Sequence, residues 1–408
     1  MSVFPAVHFS MGASTSLKPI IRLSICNMLF YLCSQFSNLF INIYIYQGFS
    51  SLRATALYNV VMYVFWIGAF IVGGVISKSS TKRNIMFGAL WGIGAIALLM
   101  IIPHGILVLD LVVAAMMGIA SGFYYMGYNL VLFQFSNAGE RGQTIARFNL
   151  ATSCIAAAMP TLSATVIHAF GYTAMFTVVI AMFAAIFALA RPFPRLAFTR
   201  TADVPAVPTP PRRRLLGFGL GTFAIAVLTC SLYTYFVNFA AGVLTYSYGS
   251  GILGAGWLNT LYALLSLVVN LVIGYGIRAK SDAVRQNFVW MGGAAATIVS
   301  ALLFMHGAHL LIAFNVVVSL ANPLFFSQVN AQQFDAVGQL FDNVATGFIV
   351  REALYSAARI GLFLYVSIFG FTAGSLPYFV CISVLCLAPL ATVAWNLRAV
   401  RMPSILLR

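Results

Sequence analysis

The chain has 408 residues, of which 62% are hydrophobic and only 7% are charged, and its net charge is +15. A soluble domain averages about 25% charged residues, so this composition excludes a soluble globular protein and indicates a chain whose solvent is lipid. The positive charge does not indicate nucleic-acid binding, because the basic residues stand in short clusters between long apolar runs.

The apolar runs predict the number of membrane crossings. A helix needs about 20 predominantly apolar residues to span a bilayer. In chain order the runs are 20–46, 56–77, 84–103, 106–134, 144–168, 172–190, 215–245, 252–277, 287–305, 308–334, 348–370 and 375–397. They predict an all-α polytopic membrane protein with twelve transmembrane helices.

The basic residues predict the orientation of these helices. With the N-terminus in the cytoplasm, every Lys and Arg residue except Arg53 falls on the cytoplasmic side, at the end of a span or in a loop. Arg359 belongs to this set but lies deeper in its span. Lys and Arg are concentrated on that side of membrane proteins, so we expect both termini in the cytoplasm. A signal-peptide pattern is not evident, and Asn-x-Ser/Thr sequons are absent. These observations favour the inner membrane of a bacterium.

The segment 191–214 divides the chain. It contains six of the fourteen prolines and ends in Arg212-Arg213-Arg214, a composition typical of a semi-rigid linker. We therefore expect a six-helix bundle over 1–190, a cytoplasmic linker over 191–214 and a second six-helix bundle over 215–408.

Two local matches indicate that the bundles are distant repeats. Glu140…Ala146-Arg147-x-x-Leu150 matches Glu352…Ala358-Arg359-x-x-Leu362 at an offset of 212, and His104-Gly105 matches His306-Gly307 at an offset of 202. The sequence therefore predicts two pseudo-symmetric bundles, an arrangement found in one large class of secondary transporters.

Polar side chains on one helical face predict a substrate cavity. Asn27, Tyr31, Gln35, Asn38 and Asn42 follow one another in the first span at steps of four, four, three and four. Amides that face lipid lack hydrogen-bond partners, so this face should point inward. Interhelical hydrogen bonding is the alternative explanation. The further candidate cavity residues are Tyr124, Tyr128, Asn238, Asn259, Tyr262, Asn322 and Arg359.

Arg359 is the most informative charge, because it lies roughly eleven residues into the eleventh span. A charge at the centre of a span costs at least about 2.5 kcal/mol on insertion scales. We predict a gating or substrate-binding arginine; a snorkelling arginine, or one tied structurally to Glu352, is the alternative. Glu140 with Arg147 and Glu352 with Arg359 are the candidate gating pairs. Seven residues rise about 10.5 Å along a helix, which predicts no direct contact within a pair.

The chain resembles the major facilitator superfamily. The resemblance covers the order of six spans, basic linker and six spans, and several local motifs. The loop after the second span keeps the family's first glycine (Gly74) and final basic pair (Lys82-Arg83), with Lys78 in place of aspartate and Thr81 in place of the second glycine. Glu140-Arg141-Gly142 and Gly171-Tyr172-x-x-x-Phe176 are similar to the family's turns after the fourth span and before the sixth.

The resemblance implies a secondary transporter of a small molecule that works by alternating access around a site near the membrane midplane. We expect an exporter of amphiphilic compounds, coupled to a proton or another ion, that acts as a monomer in the lipid bilayer. Neither a nucleic-acid partner nor a cofactor nor a metal is expected, because the chain has no phosphate-binding loop and its outer histidines have no carboxylate or thiol cluster beside them. A membrane-embedded lipid-modifying enzyme and a lipid flippase are the alternatives.

The predicted orientation is testable by cysteine labelling in a variant without native cysteines. Single cysteines in the 191–214 linker should react with a membrane-impermeant thiol reagent only after the cytoplasmic side is exposed. Cysteines at Arg53, His104 and His306 should react in intact cells. External labelling of the linker would reverse the orientation.

Overall fold

A computed structural model of the chain describes residues 17–77, 80–102, 105–135, 157–193, 212–276, 282–341 and 343–406. The described helices of the first half are α1 (Leu17–Phe36), α2 (Asn42–Phe49), α3 (Leu52–Ile76), α4 (Thr81–Ile101), α5 (Leu107–Phe135) and α6 (Met159–Ala190). Those of the second half are α7 (Arg212–Phe239), α8 (Gly251–Gly276), α9 (Asp282–Ser300), α10 (Ala308–Leu340), α11 (Val344–Phe369) and α12 (Leu376–Leu406).

Eleven helical units in the described ranges are long and apolar enough to cross a membrane. The α1 and α2 helices form one unit, because a π-helical turn at Ser37–Ile41 joins them. The α6 helix holds the sixth predicted span and the described part of the fifth, and its backbone breaks between them at Gly171 (φ 79°, ψ 173°). The prediction of an all-helical, multi-pass membrane protein is therefore confirmed. Several ends were misplaced: α10, for example, continues to Leu340 rather than ending near 334.

The helices contact one another mainly within each half of the sequence. In the first half α5 packs on α3 and α4, and α6 packs on α1 and α4; in the second half α7 packs on α11 and α12, and α10 on α8 and α9. Two extensive contacts join the halves, one between α3 and α11 and one between α6 and α8. This pattern supports the predicted pair of bundles, whose exact division at the 191–214 linker stays a prediction.

Small residues bring α5 close to α3. A Cβ atom added at Gly118 would lie 2.1 Å from the Met62 carbonyl oxygen, and one at Gly122 would lie 2.3 Å from the Trp66 carbonyl oxygen. Glycines four residues apart let two helix backbones approach in a membrane, where van der Waals packing drives helix association. The α3 backbone at Met62 and Trp66 is thereby fixed against α5.

The backbone itself repeats between the halves. Left-handed φ values occur in three pairs, Ser50 with Gly251, Gly105 with Gly307, and Gly171 with Gly370. All three pairs have nearly the same offset along the chain as the predicted match of His104-Gly105 with His306-Gly307. Each pair stands in the turn before an equivalent helix. The π-helical turn at Ser37–Ile41 likewise has a counterpart at Ala240–Leu244 in the seventh span.

An asparagine pair shares this repeat. The Asn59 amide nitrogen donates to the Thr55 carbonyl oxygen at 2.8 Å and to Oδ1 of Asn42 at 2.7 Å. The Asn259 amide nitrogen donates to the Ala255 carbonyl oxygen and to the Ala241 carbonyl oxygen, both at 2.8 Å. Each amide thus bonds its own preceding turn and a residue in or just after the π-helical turn of the neighbouring span.

The Glu-Arg match at an offset of 212 differs from the offset of 199 between the backbone turns at Gly171 and Gly370. Gly171 and Gly370 are equivalent, yet Arg147 lies more than twice as far before Gly171 in the sequence as Arg359 lies before Gly370. The position that matches Arg359 in the first half is instead Pro160.

The contact between α6 and α8 should be sensitive to side-chain size. A Cβ atom added at Gly256 would lie 2.5 Å from Cβ of Ala164 and 3.0 Å from the Pro160 carbonyl oxygen. We expect Gly256→Val to destabilise the protein by about 1–3 kcal/mol, because the two helices must separate. Gly361→Val is the matched control, since open space surrounds that glycine in α11. Thermal unfolding in detergent measures both, and equal melting temperatures would contradict this packing.

Candidate functional site

Arg359 lies in the interior of the helix assembly and is only 1% exposed. Its guanidinium carbon lies 4.9 Å and 4.8 Å from the ring centroids of Tyr63 and Trp66 in α3, and 4.4 Å from that of Tyr235 in α7. The Tyr355 ring, one turn earlier in α11, is 5.5 Å away. Aromatic faces attract cations electrostatically, and the attraction grows when water is excluded. Four rings from three helices therefore surround one buried charge.

Glu352 is the counter-ion of Arg359. Nη2 of Arg359 donates to Oε1 of Glu352, and this carboxylate is itself 6% exposed. The prediction that the two residues do not touch is wrong. It considered only the rise of the helix backbone, whereas a long arginine side chain on the same face points back towards the preceding turns and closes the gap. The ion pair leaves Nε and Nη1 of Arg359 buried with no hydrogen-bond partner.

A second arginine in α11, Arg351, is also buried. It is 7% exposed, although its position near a helix end had predicted a basic residue in the aqueous phase. Nε of Arg351 donates to Oε1 of Gln333 at 3.1 Å, and Nη2 donates to Oδ1 of Asn330. Its guanidinium carbon lies 4.7 Å from the Tyr355 ring centroid. Tyr355 therefore separates two buried guanidinium groups.

Tyr355 also connects α11 to α7 and α10. Its hydroxyl group donates to Oε1 of Gln333 at 3.1 Å and lies 3.5 Å from Sγ of Cys230. Its backbone carbonyl oxygen accepts a hydrogen bond from Ser231 at 2.8 Å. These contacts fix the Tyr355 ring, which both Arg351 and Arg359 contact.

Aromatic stacking extends from Arg359 into the first bundle. The Trp66 ring is stacked on Tyr125, with centroids 5.2 Å apart. Tyr125 meets the edges of Phe30 and Tyr124, which stack on each other. Tyr128 stacks on Tyr124 at 6.3 Å. The structure thus places the predicted cavity residues Tyr124 and Tyr128 in an aromatic chain that ends at Arg359.

The polar stripe of the first span is divided between two roles. Asn27, Tyr31, Gln35 and Asn38 are half-buried, whereas Asn42 is buried and bonded to Asn59. Interhelical hydrogen bonding, the alternative explanation for the stripe, therefore accounts for Asn42. For the other four residues the cavity assignment stays a prediction.

The candidate cavity residues of the second half lie in different surroundings. Asn238 is exposed, and the Asn259 amide group is engaged by carbonyl oxygens of α8 and the seventh span. Tyr262 is buried and Asn322 is half-buried. Asn259 thus has a helix-packing contact, and its role in a cavity, like that of the other three, stays a prediction.

The remaining acidic candidates are Glu140 and Asp110. Glu140 and Arg147, the other candidate gating pair, lie outside the described residues. Asp110 in the first turn of α5 is 1% exposed, so its side chain is buried although it lies near a helix end.

Sequence reasoning missed most of the residues around Arg359. The α3 helix has a stripe on one face, formed by Asn59, Tyr63 and Trp66 at steps of four and three residues. This spacing resembles that of the polar stripe in the first span. Arg351, Tyr355 and Arg359 follow at steps of four in α11. The sequence shows both stripes, but tyrosine and tryptophan are also common at membrane interfaces. Their contact with an arginine therefore could not be predicted without the fold.

The two halves touch at both ends of the α3–α11 contact. At the predicted outer end, Nη2 of Arg53 lies 3.5 Å from the Phe369 carbonyl oxygen. At the predicted cytoplasmic end, a Cβ atom on Gly74 would lie 2.7 Å from Cδ1 of Ile349. Gln47 also donates to the Tyr246 hydroxyl group at 2.8 Å on the outer side. Arg359 is therefore enclosed from both directions along this contact.

Within the described ranges, no three His, Cys, Asp or Glu side chains are grouped closely enough to hold a metal ion. The chemistry available around Arg359 is therefore that of a guanidinium, a carboxylate, amides and aromatic rings. Such a site can bind a ligand and change its ion pairing.

Comparisons with known proteins agree with this architecture. Residues 23–360 match the model of the Major Facilitator Superfamily. A mutant of the peptide transporter POT in complex with alafosfalin superposes with a TM-score of 0.67 at 12% identity, over 97% of this chain and 96% of the other. A bacterial homologue of the iron transporter ferroportin in the outward-facing state gives a TM-score of 0.60 at 15% identity, over 93% of this chain and 99% of the other. These two likenesses show the fold.

A similarity in sequence covers a shorter region. An uncharacterised protein encoded in the 3′ region of sodM in Geobacillus stearothermophilus is 27% identical over 154 residues, which is 35% of this chain and 69% of that protein.

The aromatic rings around Arg359 should stabilise the folded protein through cation–π contacts with its guanidinium group. Trp66→Leu removes one ring from the guanidinium, and we expect it to cost about 2 kcal/mol or more, as for a desolvated cation–π contact. Trp66→Phe keeps an aromatic face and should cost less than half as much. Trp257→Leu is the control, because Trp257 is 62% exposed in α8. Unfolding in mixed micelles measures the three variants, and equal losses would show that ring identity at Trp66 is immaterial.

Proposed function

Because this chain belongs to the major facilitator superfamily, we propose that it is a secondary active transporter that exports a small amphiphilic molecule by alternating access. The family makes it a membrane transporter rather than an enzyme. The observation that carries the proposed mechanism is the contact of Arg359 in α11 with Tyr63 and Trp66 in α3. This contact places a buried charge between the two halves of the chain.

A buried charge at that position favours a two-state mechanism. While α3 and α11 are in contact, aromatic faces and Glu352 compensate the charge of Arg359. When the halves separate on one side, water reaches the guanidinium and replaces the rings. Interactions that exist in only one conformation bias the equilibrium between conformations, so a ligand that competes for Arg359 can drive the change.

The aromatic chain from Trp66 to Tyr128 supports an amphiphilic substrate. Aromatic side chains present large apolar faces together with polar hydroxyl and indole groups, which suits molecules with a polar group and an apolar body. We place the substrate between this chain and Arg359, at the contact of the two halves.

Glu352 supports coupling to a proton or another ion. It is a buried carboxylate within a membrane-spanning helix, and such groups mark proton relays and ion pathways in transporters. We place the protein in the bacterial inner membrane as a monomer, with both termini and the 191–214 linker in the cytoplasm. The distribution of Lys and Arg residues supports this orientation.

Spin-label distances test the mechanism directly. Labels at Arg83 and Asn287 report the predicted cytoplasmic ends of α4 and α9, and labels at Ile101 and Met305 report the outer ends; all four positions are exposed. In lipid nanodiscs we expect two populations that change in opposite directions at the two ends. Glu352→Gln should lengthen the cytoplasmic distance, because loss of the carboxylate loosens the Arg359 contact with α3.

Arg359→Lys should also change the two populations, since an ammonium group cannot spread over four rings as a planar guanidinium does. Arg191→Lys is the matched control, because Arg191 is exposed at the end of α6. One unchanged distance at each end, in the wild-type protein and in both variants, would contradict alternating access governed by this ion pair.

A further inference from the structure

We infer that Arg351 and Arg359 form the binding site for an anionic group, a carboxylate or a sulfonate, carried by the transported amphiphile. The inference rests on the proposed function and adds the charge of the substrate to it. It assigns a role to Arg351, which lies outside the ion pair of the gate.

The first argument is the balance of charge. Arg351 and Arg359 are both buried, and Glu352 is the one acidic side chain that contacts either of them among the residues described. The described partners of Arg351 are the neutral amides of Gln333 and Asn330 and the rings of Phe334 and Tyr355. Among the residues that the structure describes, Arg351 therefore has no acidic partner inside the bundle. Buried charges are normally paired, and an anionic group of the substrate can supply a partner for Arg351.

The second argument is distance. The guanidinium carbons of Arg351 and Arg359 lie 4.7 Å and 5.5 Å from the centroid of the same Tyr355 ring. They are therefore at most about 10 Å apart, which is within the range where charges interact in a low-dielectric interior. An anion that contacts Arg359 is consequently also stabilised by Arg351.

The third argument is the geometry of the free donors. Nε and Nη1 of Arg359 are buried without a hydrogen-bond partner, and Nη2 is bonded to Glu352. A planar guanidinium binds a carboxylate through two parallel donors, either Nε with Nη2 or Nη1 with Nη2. Both combinations need Nη2. Nη2 carries two N–H groups and Glu352 occupies one of them, so a bidentate substrate anion binds beside the Glu352 carboxylate on the same nitrogen. Two carboxylates at that distance repel each other, and the substrate anion therefore competes with Glu352 for Arg359.

Ser356 can receive the displaced carboxylate. It follows Glu352 by four residues on the same face of α11, is 1% exposed, and its hydroxyl oxygen has no hydrogen-bond partner. The hydroxyl group can donate to Glu352 once Arg359 is engaged elsewhere. Anion binding and the Glu352–Arg359 pair are then competing states of one site.

The test uses three ligands with the same aromatic body and different head groups: 2-naphthoate, 2-naphthamide and 2-naphthylmethylammonium. Equilibrium binding of the radiolabelled compounds is measured in nanodiscs of phosphatidylcholine, with empty discs subtracted. We expect 2-naphthoate to bind at least tenfold more tightly than the amide, and the ammonium compound to show no saturable binding.

Four variants and one control separate competition from a structural role. Glu352→Gln should raise the affinity for 2-naphthoate at least threefold, because the competing carboxylate is gone. The double variant Glu352→Gln/Arg359→Gln, which leaves no unpaired buried acid, should abolish saturable binding. Arg351→Gln should weaken binding about tenfold and Arg351→Lys by much less. Arg83→Gln, which removes an exposed charge of α4, should change nothing.

The inference is overturned if the naphthoate and the amide bind equally, or if Glu352→Gln leaves the affinity unchanged or lowers it. Repeating the measurement in phosphatidylglycerol discs distinguishes lipid phosphate from a free anion. Unchanged naphthoate affinity there supports a free anionic substrate, whereas competition by that lipid assigns the site to headgroups and overturns the inference. Spin-label distances that still alternate after a negative binding result would leave the transporter proposal intact and remove only the anion.

Discussion

The burial of Arg359 is the constraint on which the centre of this molecule depends. A guanidinium at that depth has lost its water, and the protein replaces water with one carboxylate and four aromatic faces. Those groups come from α3, α7 and α11, so these three helices must meet at one point for the charge to be tolerated. Gly118 and Gly122 contribute indirectly, because they fix the α3 backbone at Met62 and Trp66 against α5.

The sequence predicted the helices well because a bilayer imposes simple rules. The length of a span follows from the thickness of the hydrocarbon layer, and the distribution of Lys and Arg residues follows from the orientation of the chain. Neither property depends on tertiary contacts. The sequence also located Arg359 and Glu352 on one helical face. It failed to predict their contact, because helix rise describes backbone atoms, whereas the ion pair depends on the direction of two long side chains.

The sequence match and the backbone turns give two different alignments of the two halves. The pairs Glu140/Arg147 and Glu352/Arg359 share their spacing, yet they stand at very different distances from the equivalent glycines Gly171 and Gly370. Backbone geometry is a better guide, since left-handed turns at matched positions constrain where each helix begins. The Asn59 and Asn259 contacts could not be found from composition either, because each depends on a π-helical turn in the neighbouring span.

The two contacts between the halves, α3–α11 and α6–α8, are chemically different. Pro160, which is the counterpart of Arg359, has its backbone carbonyl close to Gly256 of α8. In the same contact Gly256 meets Ala164, and Thr161 donates to Thr260 at 2.7 Å. The described helices α6 (Met159–Ala190) and α8 (Gly251–Gly276) contain no Lys, Arg, Asp or Glu side chain that could rearrange there. At the α3–α11 contact, by contrast, Arg359 can exchange Glu352 and aromatic faces for water or a ligand. Under the proposed mechanism the α6–α8 contact is therefore the pivot, and the α3–α11 contact is where binding energy changes the relative stability of the two conformations.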